Sequence, residues 1–158
     1  MEIIIIVAKS KNNVIGKCGK LPWNFPEDLK HFRETTMGNF VIMGKKTFLS
    51  LPGKLDGRKV IVLSRDKNFN PRDAKVANSI EEAINIAEGK VFVAGGESVY
   101  HQFLSKADKM IITVIDKNFE GDAHFPEFDK DKWRLVSEKK AKNKLLIFKK
   151  YKKDEKYS

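Results

Sequence analysis

Asp28 is the carboxylate placed to do most chemistry. At about 100° per helical residue, Phe25, Leu29, Phe32 and Thr36 gather on one face, with Asp28 at its edge and Glu27 pointing away. An ionised carboxylate beside two Phe and a Leu loses hydration, so it needs a donor or a cation, or its pKa rises. The plainer reading is that Asp28 only charges the first helical turn favourably, as Glu27 does. A second feature is the run Val91 to Tyr100, in which an apolar strand passes through Gly95-Gly96 into a helix. Such glycines let a ligand approach the backbone, and the amides that follow suit an anion such as a phosphate. Lacking the three-glycine dinucleotide spacing, the pair also reads as a tight turn. Gly44-Lys45-Lys46-Thr47, after Phe40 to Met43, brings cations to another helix start. It is no phosphate loop of nucleotide hydrolases, because Gly38 stands six positions before Gly44 and an extra Lys precedes Thr47. Val60 to Leu63 ends in Ser64-Arg65, a third strand terminus with a donor and a cation. Ligands of open α/β sheets gather at the carboxyl ends of strands, so these three termini are expected to converge on one multiply phosphorylated cofactor. Arg58, in a Gly-Arg-Lys turn, is either a solvated arginine or a bidentate grip on a carboxylate.

The elements that must position these residues alternate. Ile3 to Ala8, Phe40 to Met43, Val60 to Leu63, Val91 to Ala94 and Met110 to Ile115 read as buried strands. Pro26 to Thr35, Lys45 to Leu51, Ser79 to Ala87 and Glu97 to Leu104 read as helices, with Pro26 suited to a first turn and Ser79 and Glu82 to a capping box. Trp133 to Glu138 and Leu145 to Tyr151 read as an antiparallel edge pair, with fraying expected past Lys152. Lys9 to Phe25 and Asp116 to Asp131 exceed tight-turn length and are candidate lids.

At 158 residues the chain has the size of one domain, and 41% hydrophobic against 33% charged residues argues for a packed core. The longest apolar run, Ile3 to Ala8, is far short of a membrane span, and one cysteine, Cys18, suits a reducing cytosol. No membrane partner is expected. Of the net charge of +10, residues 139–158 hold nine Lys against Asp154 and Glu155, or +7. Without stacking motifs or zinc spacing, that cluster reads as a solvated face, so nucleic acid is not an expected partner. His31, His101 and His124 lack metal-ligand spacing and no Gly-x-Ser-x-Gly elbow occurs, so neither a metal site nor serine hydrolysis is expected.

Several ordered signals remain: Val14-Ile15-Gly16, Leu21-Pro22-Trp23-Asn24 with Pro26 and Asp28-Leu29, Val41-Ile42-Met43-Gly44 with Thr47, Arg58, Leu63-Ser64-Arg65, Gly95-Gly96 with Tyr100, and Gly121-Asp122 with Phe125-Pro126. In this order and spacing the sequence resembles dihydrofolate reductases of the monomeric bacterial chromosomal type, from the first strand to about Tyr151. The resemblance implies a single-domain α/β fold: a mostly parallel eight-stranded central sheet with an antiparallel C-terminal edge, flanked by four helices.

It further implies a cytoplasmic monomer that reduces dihydrofolate with NADPH and binds antifolate inhibitors. Asp28 would hold the pterin, with Thr113 as its hydroxyl partner. N5 would be protonated from solvent, with direct donation by Asp28 as the competing route. Ile6, Val7, Ala8, Leu29, Phe32, Leu51, Leu55 and Ala94 would line the substrate pocket, and Arg58 would hold the glutamate carboxylate. The cofactor would meet Ala8, Ile15, Gly16, Gly44, Lys45, Lys46, Thr47, Leu63, Ser64, Arg65, Ala94, Gly95, Gly96, Glu97, Ser98, Val99, Tyr100 and Asp122. Leu21 and Trp23 would close over both on the Gly16 to Asn24 loop, steadied by Gly121-Asp122. Three departures stand out: Ala94 where many members carry a bulkier aliphatic residue, Lys45-Lys46 in place of Arg-containing pairs, and Glu97, whose side chain must turn away from a pyrophosphate. The nearest alternative, a pyrimidine reductase with the same fold and NADPH, should lack Leu21-Pro22-Trp23 paired with Asp28.

Overall fold

A computed structural model describes residues 1–157. In chain order its elements are β1 (Glu2–Ser10), β2 (Val14–Gly16), α1 (Pro26–Thr36), β3 (Phe40–Gly44), α2 (Lys45–Leu49), β4 (Lys59–Leu63), β5 (Ala74–Ala77), α3 (Ile80–Ile86), β6 (Lys90–Val93), α4 (Glu97–Phe103), β7 (Lys109–Ile115), β8 (Ala123–His124), β9 (Trp133–Lys140) and β10 (Leu146–Lys153). Eight strands form one sheet in the order β5-β4-β3-β6-β1-β7-β10-β9. Neighbours are parallel from β5 to β7, whereas β10 runs antiparallel to both β7 and β9.

Strand parity divides the core. Ile3, Ile5 and Val7 face one side, packing with Val99, Phe103 and the α3 residue Ala83. Ile4 and Ile6 face the other, with Val41, Met43 and Val60, against which Phe32 of α1 and Phe48 of α2 pack. Burying such a side chain contributes roughly 1.5–3 kcal/mol. Both faces of β1 are therefore apolar, as a strand covered by helices on each side must be.

Local chemistry sets the ends. Ser79 caps α3, its Oγ accepting from the Glu82 amide at 3.1 Å, while Glu82 accepts in return from the Asn78 amide at 2.9 Å. The second helix stops at Leu49 rather than at Leu51, because Leu51 precedes Pro52 and a residue in that place avoids helical backbone. Two short strands inside the long loops, β2 and β8, pair with each other as a separate two-stranded sheet. The C-terminal end does not fray at Lys152. Lys153 completes β10 and its Nζ donates to the Ser105 carbonyl at 2.8 Å; the Asp154 amide then donates to the Lys132 carbonyl at 2.7 Å, before a 3-10 turn over Glu155–Tyr157. Among the described residues no helix is long and apolar enough to cross a membrane.

Candidate active site

The carboxyl ends of the parallel strands open on one cleft of about 1930 Å³. One half is walled by Ile6, Val7 and Ala8 of β1, Asp28, Leu29 and Phe32 of α1, Leu51, Leu55 and Arg58 from the segment after α2, and Ala94 and Thr113. The other half is lined by Gly44, Lys45, Lys46 and Thr47, by Leu63, Ser64 and Arg65, and by the run Gly95 to Tyr100. Ile15, Gly16, Leu21 and Asp122 border it from the loops. Trp23 is not on the lining. Its ring packs edge-on against Phe119 at 5.1 Å, and its Nε1 is buried with no hydrogen-bond partner among the described residues. An aromatic residue in a long loop carried no signal of which way it would turn.

Helix periodicity places Asp28 and Glu27 on different sides. The Glu27 carboxylate accepts from the amides of Lys142 and Asn143 in the β9–β10 turn, both at 2.8 Å. Those amides hold its pKa below the ordinary carboxylate value. Asp28 enters the cleft instead, where burial raises its pKa; the Thr113 hydroxyl, bonding to the carboxylate, and the nearby His31 oppose that rise. Burial also lowers the pKa of His31, with Asp28 pulling the other way. The imidazole stacks on Phe148 at 4.1 Å. The Tyr100 hydroxyl is fully buried and donates to the Ile6 carbonyl at 2.8 Å, and desolvation together with Asp28 keeps it protonated. The site thus holds one carboxylate withdrawn from water with a hydroxyl to receive it, beside flat apolar walls.

Arg58 is anchored rather than waving in solvent. Its Nε donates to the Asp56 carbonyl at 3.1 Å, its Nη1 to Thr36 Oγ1 at 3.4 Å, and the guanidinium lies 5.9 Å from the Phe32 ring centroid. Thr36 in turn donates to the Phe32 carbonyl at 2.8 Å, so the end of α1 holds the arginine at the cleft wall.

In the cationic half the strand ends are tied together: the Gly44 amide donates to the Gly95 carbonyl and the Ala94 amide to the Ile42 carbonyl, each at 2.9 Å. Gly95 has φ +107°, and a Cβ there would meet the Tyr100 ring at 3.3 Å, so this backbone position belongs to glycine. Its peptide bond to Gly96 is cis. Glu97 does turn away, its carboxylate accepting from the His124 amide on β8. Lys45 is half-buried and its Nζ lies 2.8 Å from Asp66 Oδ2, while Lys46 and Arg65 are exposed and make no ion pair among the described residues.

The two long loops hold each other. The Asp122 amide donates to the Gly16 carbonyl at 3.0 Å, and the Asp122 carboxylate accepts from the Cys18 amide at 3.1 and 3.2 Å. Cys18 and Gly19, with φ of 51° and 78°, form the two-residue turn of a hairpin closed by Lys17 and Lys20. A Cβ on Gly121 would come within 2.3 Å of Val14 Cγ1 and 2.5 Å of the Gly16 carbonyl oxygen, so only glycine lets the loops meet here.

The dihydrofolate reductase family model matches residues 2–153. The chain belongs to that family. It is 42% identical over 143 residues to the dihydrofolate reductase of Staphylococcus haemolyticus, covering 89% of this chain and 86% of the relative. With the dihydrofolate reductase of Bacillus subtilis strain 168 it shares 40% identity over 137 residues, 85% and 82% of the two chains. The solved Enterococcus faecalis dihydrofolate reductase, complexed with NADP(H) and RAB-propyl, superposes with a TM-score of 0.86 at 31% identity, covering 98% of this chain and 97% of that one. For a dihydrofolate reductase fold the cleft also has walls that strand-end reasoning overlooked. Asn78, Ser79 and Glu81 line it at the end of β5, and Arg33 and Lys54 join Arg58. Extending the strand-end rule to Ala74–Ala77 would have found the first group; the spacing of Arg33 from Asp28 and Leu29 would have found part of the second.

Proposed function

We infer that the cleft reduces 7,8-dihydrofolate to 5,6,7,8-tetrahydrofolate, the protein acting as a single-domain cytoplasmic monomer. NADPH, when bound, supplies the hydride for C6 of the pterin. The donor set fits that cofactor: Lys45, Lys46 and Arg65 offer charge for its phosphates, Ser64 and Thr47 offer hydroxyls, and Gly95-Gly96 offer backbone bare of side chains. Asp28 accepts hydrogen bonds from the amino group and ring nitrogen of the pterin, and the Thr113 hydroxyl satisfies its remaining oxygen. With its charge withdrawn from solvent, Asp28 favours a pterin protonated at N5. The proton comes from solvent through the loop side of the cleft, since among the described residues no second acid lines that wall beside Asp28. Ile6, Leu29 and Phe32 press the flat ring and the benzoyl group, and Arg58, held by Thr36, grips the glutamate carboxylate. Leu21 on the Gly16 to Asn24 loop excludes water while Asp122 keeps that loop down. Antifolate inhibitors enter the same half.

The observation carrying this reading is the half-buried Asp28 carboxylate, with Thr113 on the same wall, in a cleft shared with the cationic strand ends. Mixing protein, NADPH and dihydrofolate should give a steady loss of NADPH absorbance. No loss above that without protein would overturn it.

A further inference from the structure

Asp66 stands immediately after Ser64-Arg65, yet it is absent from the cleft lining. Its Oδ2 takes Lys45 Nζ at 2.8 Å, and Lys45 does line the cleft. The lysine also rides 5.0 Å from the Phe69 ring centroid. The other carboxylate oxygen accepts from the Asn68 amide at 3.0 Å, and the Asp66 amide donates to Ser64 Oγ at 3.1 Å. Turn, lysine and serine are therefore one hydrogen-bonded unit behind the cationic half. A phosphate reaching Lys45 must share it with a carboxylate already in place.

We propose that Asp66 is a positioning residue that limits the preference for NADPH over NADH, by neutralising Lys45 from behind the cleft. The proposal rests on the cofactor half assigned above. In this arrangement Lys45 is oriented but spends part of its charge on Asp66. Discrimination then falls mainly on Arg65 and Lys46, which make no ion pair among the described residues. The plain alternative is that Asp66 only closes its own turn.

Asp66→Asn separates the two roles: its amide oxygen still accepts from the Asn68 amide and closes the turn, while the amide nitrogen in place of Oδ2 cannot accept from Lys45 and the charge is gone. Calorimetric titration with NADPH and with NADH, at low salt and at about three times physiological ionic strength, reads binding without turnover. Asp66→Asn should tighten NADPH roughly 2–5-fold, the range for a half-exposed ion pair, with NADH unchanged and the gain shrinking in high salt. In the double-mutant cycle, Lys45→Gln should cost NADPH more affinity in the Asp66→Asn background than in the parent. Unchanged or weaker NADPH binding by Asp66→Asn at low salt overturns the proposal. Arg65→Gln tests the assignment beneath it: if the parent binds the two cofactors equally and Arg65→Gln alters neither, the cofactor half itself is misplaced.

Discussion

At the Asp28 end of the cleft a single carboxylate is withdrawn among Ile6, Phe32 and Thr113, whereas at the Arg65 end several cations stand in or near solvent around glycine backbone. An isolated charge in a poorly hydrated wall interacts strongly with whatever charge develops beside it. Exposed charges act weakly, in sum, and through a screened field. On the function proposed, the first half serves chemistry and the second affinity, and the two should fail differently.

The largest expected failure is at Asp28. Asp28→Asn should lower turnover by roughly 10²–10⁴ while leaving NADPH affinity almost unchanged in a direct titration. A comparable loss of NADPH affinity would erase the division. Arg58→Gln should raise KM for dihydrofolate by roughly 10–100-fold, from loss of a charged hydrogen bond, with kcat little altered in steady-state kinetics. Gly121→Ala should cost roughly 1–3 kcal/mol of stability by overpacking, seen in denaturant unfolding, and should reduce kcat as the loop contact opens. The smallest effect is thermodynamic. Burial raises the Asp28 pKa above its ordinary 3.8, so its stabilising contribution is complete below that value and is lost as pH rises through the raised one. Ligand-free Asp28→Asn should therefore melt above the parent at neutral pH, with the gap narrowing on acidification. A parent melting higher at pH 7 would show that Asp28 is not desolvated.

The same contrast governs what the amino-acid sequence revealed. Elements with a strong period were legible: β1 as a run of isoleucines, α1 through its apolar face, and Ser79 with Glu82 as a cap. Strand β5, Ala-Lys-Val-Ala, lacks the β-branched density that marks a strand, and two- or three-residue β2 and β8 form only because tertiary contacts place them together. The eight-strand count came from the family resemblance rather than from periodicity. In the site, Asp28 and the strand-end cations were nominated by local chemistry. Lys45's pairing with Asp66 joins residues 21 apart, and Trp23's turn toward Phe119 depends on how two loops dock. Neither is written in a local pattern. The lysine-rich end was read as a solvated face with an antiparallel edge pair running into it; the strands do pair there, four of its lysines lying on β10 and Lys139 and Lys140 on the edge strand β9.

The place of β1 in the sheet bears on how the chain is made. Its partners on either side, β6 and β7, begin at Lys90 and Lys109, so β1 leaves a ribosome well before either of its neighbours. Until they emerge, the most apolar segment of the protein has nothing to pair with. A nascent chain halted before β7 would expose that edge, and would be a natural client for a chaperone that shields sticky segments during synthesis.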